Sequence, residues 1–204
     1  MSYYDPKIHH RRSIRLDTYD YSQEGLYFVT CCCQDREYFF GEIINSELIL
    51  NEAGKLIEQE WMNLSDRFLN IRLHDFVIMP NHFHAILELV GATLVVARNS
   101  PDIPTSNHNF EEKGPGRPQG ITPTDTSADT QVTAPTIGDI ISAFKSITTV
   151  KYIHGVKTAN WPKFNKRLWQ RNYYEHIIRN EIALNNIANY IIENPKRWNE
   201  DRFR

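Results

Sequence analysis

A chain of 204 residues is long enough to bury a sizeable core within one domain. With 23 Lys and Arg against 25 Asp and Glu, its net charge of -2 excludes a uniformly basic nucleic-acid-binding surface, and only local clusters remain to serve that purpose. No apolar run reaches membrane-spanning length and no signal-peptide pattern opens the sequence, so a cytoplasmic protein away from membranes is expected.

Residues 1–24 are polar, aromatic and basic, with few core candidates. Arg11, Arg12 and Arg15 lie in this stretch and suit a phosphate backbone, or equally a solvated tail. Residues 26–34 read as a first strand. Cys31, Cys32 and Cys33 follow one another there and face alternate sides, which does not suit a tetrahedral zinc site. Their odd number argues against a disulfide framework, so they read as small strand residues in a reducing compartment. A short strand is expected at 47–50. Asn51 then caps a helix whose apolar positions Ala53, Leu56, Ile57, Trp61 and Leu64 recur at helical spacing, with Trp61 in the core.

Strands are expected at 71–79 and 82–90, joined by the turn signal Pro80-Asn81. His82 and His84 are two apart and project from one face, while Phe83 points to the other. Such a pair is placed to share a divalent metal, and the same spacing also suits a surface pair on a half-solvated sheet. From 91 to 136 the chain turns rich in Gly, Pro, Ser, Thr, Asn and Asp, far beyond a usual connection of about 4–6 residues. The whole of 1–204 therefore reads as one domain carrying a largely mobile insertion at 91–136. Order resumes where Thr136 and Asp139 form a capping box, followed by a helix with Ile137, Ile140, Ile141, Phe144 and Ile147 on one side, ending near His154.

A second basic cluster runs from Lys163 to Arg171, and the run Leu168-Trp-Gln-Arg-Asn-Tyr-Tyr-Glu-His-Ile-Ile-Arg179 continues from it. Residues 180–194 form a helix that Pro195 ends. Ala183, Ile187, Tyr190 and Asn194 share one stripe, so Tyr190 and Asn194 sit about a turn apart. A phenol and an amide so presented suit a nucleophile and a metal ligand, or a core tyrosine beside a helix-closing asparagine.

The run Val77-Ile-Met-Pro-Asn-His-Phe-His-Ala-Ile86 resembles the histidine–hydrophobic–histidine (HUH) motif of small transposases acting on single-stranded DNA, most of all the REP-associated tyrosine transposases. The Trp169-Gln170 segment, the acidic-His-x-Ile-Arg segment at Glu175–Arg179 and the Tyr190-Ile-x-x-Asn194-Pro195 ending resemble the same relatives, in the same order. Residues 11–22 are similar to their N-terminal segment. The resemblance covers most of 10–90 and 137–198.

What the resemblance implies is a ferredoxin-like α+β domain: an antiparallel sheet with helices packed on one face and the histidine pair on a central strand. It implies Tyr190 as nucleophile, ahead of Tyr173 and Tyr174, and Mg²⁺ or Mn²⁺ held by His82, His84 and Asn194, the imidazoles leaning toward Mn²⁺. The partner implied is single-stranded DNA folded into a hairpin, cleaved through a 5′-phosphotyrosine link that leaves a free 3′-hydroxyl. Arg11, Arg12, Arg15, Arg171 and Arg179 would hold its backbone and Trp169 would stack on its bases, although Trp169 on composition alone suits a core. Mobile members of the family work as dimers, and the expectation here leans toward a homodimer. Two other readings stay open: a domesticated hairpin-binding protein without strand transfer, and a structural metal domain using His74, His82 and His84.

Overall fold

The computed structural model describes residues 23–91 and 134–204. The insertion read at 91–136 and the N-terminal arginines Arg11, Arg12 and Arg15 lie almost wholly or wholly outside these. In chain order the elements are β1 (Gly25–Cys32), β2 (Gly41–Ile44), β3 (Glu47–Leu50), α1 (Glu52–Met62), a single turn α2 (Leu64–Arg67), β4 (Ile71–Met79), β5 (His82–Leu89), α3 (Ile137–Thr158), β6 (Tyr174–Ile178) and α4 (Glu181–Glu193).

Four strands form one sheet in the order β4-β5-β1-β6, every neighbour antiparallel. α1 lies between β1 and β4 in sequence, and α3 between β5 and β6. Each such parallel pair encloses one antiparallel strand, which is the split-βαβ, ferredoxin-like arrangement. β1 is central, and its aromatic and β-branched run is buried from Tyr27 to Cys32. The β2–β3 hairpin, of which only the second strand was legible, turns through Asn45 and Ser46 at φ 50° and 67°. Positive φ at both turn positions is what a two-residue hairpin loop of primed type needs.

The capping residues act as read. Asn51 Oδ1 accepts from the Gly54 N–H at 2.9 Å, and Thr136 and Asp139 complete their reciprocal box. Gly54 leaves no room for a side chain, because a Cβ there would lie 2.1 Å from the Phe40 carbonyl oxygen. α3 runs four residues beyond the expected end at His154. Thr148 is buried where Ile147 was expected to be, and it donates to the Phe144 carbonyl at 2.7 Å.

The strand alternation divides the sheet into two faces. Phe83, Ala85 and Leu87 join Tyr27, Val29 and Cys31 in a large core with α1 and α3. Trp61 lies at its centre, 4.6 Å from the Phe83 ring and 5.3 Å from Phe144. The three cysteines are free and buried, as small strand residues should be. The opposite face, with Phe28 and Ile86, is covered by α4 through Ile187, Ile191 and their neighbours. The two connecting helices thus pack on one face, and the C-terminal helix adds a cover over the face that carries the histidines. No helix among the described residues is long and apolar enough to cross a membrane.

Candidate metal and nucleophile site

Asn81 fixes the first histidine. Its side-chain N–H groups donate to two backbone carbonyls, Arg36 at 3.2 Å and Phe203 at 2.9 Å. This leaves Oδ1 as an acceptor only, and His82 Nδ1 meets it at 2.7 Å. Nδ1 must therefore carry the proton, and Nε2 of the neutral ring carries a lone pair. That lone pair faces Asp201 Oδ2 at 3.4 Å, with both side chains almost fully enclosed. Neither atom has a hydrogen-bond partner among the described residues. Two buried acceptors opposed in this way leave a place for a cation.

His84 follows one pleat along the strand, its ring centroid 4.6 Å from that of His82. Its backbone partner across β1 is Thr30, whose Oγ1 lies 2.7 Å from His84 Nδ1. The other ring nitrogen, Nε2, lies 3.2 Å from the Tyr190 hydroxyl. Phe28 stacks on the same imidazole at 5.3 Å. α4 brings Tyr190 there because its Ala183–Ile187–Tyr190 stripe packs on this face of the sheet.

Burial holds both histidines below their ordinary range. It dominates at His82 over the opposing pull of Asp201, and at His84 the neighbouring His82 adds to it. Both are neutral at pH 7, with lone pairs available. For Asp201 burial acts to raise the pKa, but contact with His82 and the Phe203 N–H outweigh it and bring the carboxyl to about 2. Tyr190 is raised by burial and then by the Asp201 charge, with the Asn194 amide, Arg202 and Arg197 opposing. Its phenol is protonated at neutral pH.

His82, His84 and Asp201 offer ligand atoms within 4.8 Å of one another. Two imidazoles and a carboxylate are a donor set for a first-row divalent ion, which needs ligands at about 2.0–2.2 Å. Asn194, 2% exposed and with an Oδ1 that also lacks a hydrogen-bond partner among the described residues, lines a cleft with Tyr190 and Asp201, against which the fully buried histidines are set. The cleft holds about 480 Å³ and is bordered by the cations Arg197 and Arg202.

The end of the chain folds over the histidines. The Phe203 ring lies 5.3 Å from His82 and 5.5 Å from His84, and Trp198 stacks on His82 at 6.0 Å. Arg36 anchors this segment, donating to the Arg202 carbonyl at 2.7 Å.

The structure thus gathers His82, His84, Tyr190 and Asn194, all within one chain. Of the rival tyrosines, Tyr174 lines the cleft beneath the Arg202 guanidinium, while Tyr173 packs toward the α1–α3 core with Lys145 over its ring. His74 is paired with Glu88 at 2.9 Å and stands apart from the cluster, which removes it as a shared ligand. Trp169 requires a correction. It is 4% exposed, packed on Phe40 and Phe144, and its indole N–H donates to Thr148, so it serves the core, and the little that is exposed adjoins an outer groove beside α3. Arg171 and Arg179 are exposed but neither lines the cleft, and Arg179 lies beyond the far end of β6, about 17 Å of extended chain from Tyr174. Sequence reasoning missed Thr30, Asn81 and Asp201. Asn81 directly precedes the motif and could have been found, whereas Asp201 sits in a short charged tail with no pattern.

No family model matches the chain. A Haemophilus influenzae protein of uncharacterised function is 37% identical over 203 residues, 98% of this chain and 96% of that protein. Among solved structures, a REP-associated tyrosine transposase bound to a REP hairpin aligns at 15% identity and TM-score 0.45, covering 85% of this chain and 68% of the other. A Deinococcus radiodurans protein with a provisional transposase name aligns at 14% identity and TM-score 0.41, covering 89% and 96%. Neither structural likeness is strong enough to decide a function.

Proposed function

The chain belongs to the same family as its Haemophilus influenzae relative, and from the site we propose that it is a transposase-type enzyme that cleaves and rejoins single-stranded hairpin DNA through Tyr190. The observation that carries this reading is the Tyr190 hydroxyl at 3.2 Å from His84 Nε2, beside His82 Nε2 and Asp201 Oδ2, which have no hydrogen-bond partner among the described residues. The HUH resemblance of 77–86 supports it from the sequence.

In the reaction the Tyr190 oxygen attacks phosphorus and the bond from phosphorus to the 3′-oxygen breaks. The 3′-oxygen leaves as a hydroxyl, taking up the proton that the phenol gives up, and the 5′-phosphate remains on Tyr190. One phosphodiester replaces another, so rejoining needs no ATP. A protonated phenol is a poor nucleophile. Neutral His84, with Thr30 holding its Nδ1, presents Nε2 to the Tyr190 hydroxyl and so positions the phenol at the atom that a metal would take. Arg197 and Arg202 border the cleft where the scissile phosphate would lie, and offset its charge. His82, His84 and Asp201, with Asn194 as a further oxygen donor, would hold a Mn²⁺ or Mg²⁺. Bound there, the ion would supply Lewis-acid polarisation of the scissile phosphate.

A second reading is a hairpin-binding protein with little strand transfer, favoured by the Phe203 ring that covers both imidazoles. A labelled hairpin from DNA flanking the gene, incubated with Mn²⁺ or Mg²⁺, separates the two. A metal-dependent covalent protein–DNA band, lost in Tyr190→Phe, is the expected result. Binding without cleavage across several hairpins would leave the binder.

A further inference from the structure

We propose that a groove between α3 and the segment before β6, built around Lys166, Arg167 and Arg171, binds the phosphodiester backbone of a nucleic acid at a place separate from the histidine cleft. This rests on the nucleic-acid reading above for its choice of polyanion, and on its own observations for everything else.

The first observation is charge segregation. Between Asp139 and Glu175 the chain has no carboxylate and carries seven Lys and Arg, while all 25 acidic residues lie elsewhere in a chain of net charge -2. A stretch of 35 residues without one acid is not a solvated surface of mixed sign, which is the ordinary arrangement. The second is shape. Lys166, Arg167 and Arg171 line a groove of about 650 Å³ together with Ser146 and Thr149 of α3. All three cations are exposed, and none forms an ion pair among the described residues.

The third observation is that this wall is fixed. Lys145 Nζ donates to the Gln170 and Asn172 carbonyls at 3.0 Å each, clamping the segment to α3. The Gln170 N–H and its side-chain amide donate to the Cys32 and Cys33 carbonyls at 2.9 and 3.2 Å. Lys166 itself is held at φ 63°, a left-handed conformation unusual for a side chain of this kind. Ion-pairing groups presented on a rigid wall lose less entropy on binding than free surface side chains.

The placement also suits a strand that reaches the cleft. Cys32, whose carbonyl receives Gln170, pairs directly with His82 in the sheet. Arg171 is three residues from Tyr174, which lines the histidine cleft, a span of about 10 Å in extended chain. The groove and the cleft therefore share one end of the sheet and lie on its two sides. A nucleic acid a few nucleotides long can touch both. Three exposed cations beside the Ser146 hydroxyl match phosphates.

The test measures anisotropy of a labelled oligo-dT single strand, which has no hairpin, across a series of salt concentrations. Wild type is compared with the triple variant Lys166→Ala/Arg167→Ala/Arg171→Ala. The triple variant should bind at least about tenfold more weakly, with the slope of log K against log salt shallower by about 2, since each single-strand phosphate contact contributes about 0.7. Its melting temperature should match wild type because all three side chains are exposed. Unchanged affinity and slope in a folded triple variant would overturn the groove even if Tyr190 cleaves hairpins. Competition by polyglutamate as effective as by oligo-dT would overturn it in favour of an acidic peptide. A weakened triple variant together with no covalent product from wild type would sustain the groove and dispose of the tyrosine chemistry alone.

Discussion

The Tyr190 hydroxyl and His84 Nε2 lie 3.2 Å apart, although 106 residues separate them in the chain. A metal on His84 would use the same lone pair, since Nδ1 is engaged with Thr30. The tyrosine's hydrogen bond and a bound ion therefore exclude each other at that atom. Tyr190→Phe keeps the ring that packs edge-on to Phe28 at 6.1 Å and removes only the hydroxyl. Stability should change by no more than about 0.5–1.5 kcal/mol, the ordinary net worth of one hydrogen bond. Covalent capture of hairpin DNA should vanish completely. Chemical denaturation and a denaturing gel on the same preparation check both, and a covalent band that survives would move the nucleophile to Tyr174.

The third metal ligand is a separate question. Asp201 brings an ionised carboxylate to His82 Nε2 at 3.4 Å, whereas Asn194 brings a neutral amide oxygen. A full negative charge in a buried site attracts a divalent ion far more strongly than an amide dipole does. Titration calorimetry with Mn²⁺ should show Asp201→Asn weakening binding by about tenfold or more, and Asn194→Ala by less. The reverse order would return the ligand role to Asn194 and leave Asp201 as a partner for His82 alone.

The parts of this site that were legible in the sequence are those made by local spacing. The His82–Phe83–His84 alternation, the Tyr190–Asn194 helical stripe and the Thr136–Asp139 box each depend on residues at most four apart, and each stands as read. What could not be read comes from distant segments meeting. Asn81 receives the chain end through Phe203, 122 residues on, and nothing in Asp201-Arg-Phe-Arg204 signals that it returns to a strand. β6 escaped notice because Tyr174-Glu-His-Ile-Ile178 is short and only its last residue is buried. Which side of the sheet α4 would cover was equally closed to a periodicity argument, since an apolar stripe records that a face is buried and not against what.

Acid should destabilise the fold in a defined window. His82 and His84 titrate below their ordinary value near 6.5 when folded, by burial first. As pH falls through about 6.5, the unfolded chain takes up these protons before the folded one, and stability falls with it. Asp201 acts in the same direction lower down, between its ordinary 3.8 and about 2. Thermal melts at pH 7, 6 and 5 should show a falling transition temperature, and His84→Gln should flatten part of that fall. A flat profile in wild type would mean that the histidines are open to water.

Trp169 supplies the last prediction, because its two possible roles part cleanly on substitution. As a core residue it fills space between Phe40, at 5.1 Å, and Phe144, at 5.9 Å, with its N–H spent on Thr148. Trp169→Ala should then cost about 3–5 kcal/mol through the cavity and the hydrogen bond that Thr148 Oγ1 no longer accepts. In a domain of this size that lowers the transition temperature by roughly 6–20 °C. Trp169→Phe retains most of the ring volume and should cost less. Neither should alter much the affinity of the folded protein for oligo-dT, measured well below the transition, since Trp169 is only 4% exposed where it adjoins the groove. A base-stacking tryptophan would behave oppositely: Trp169→Ala would leave the melt nearly unchanged and weaken single-strand binding by about 1–3 kcal/mol.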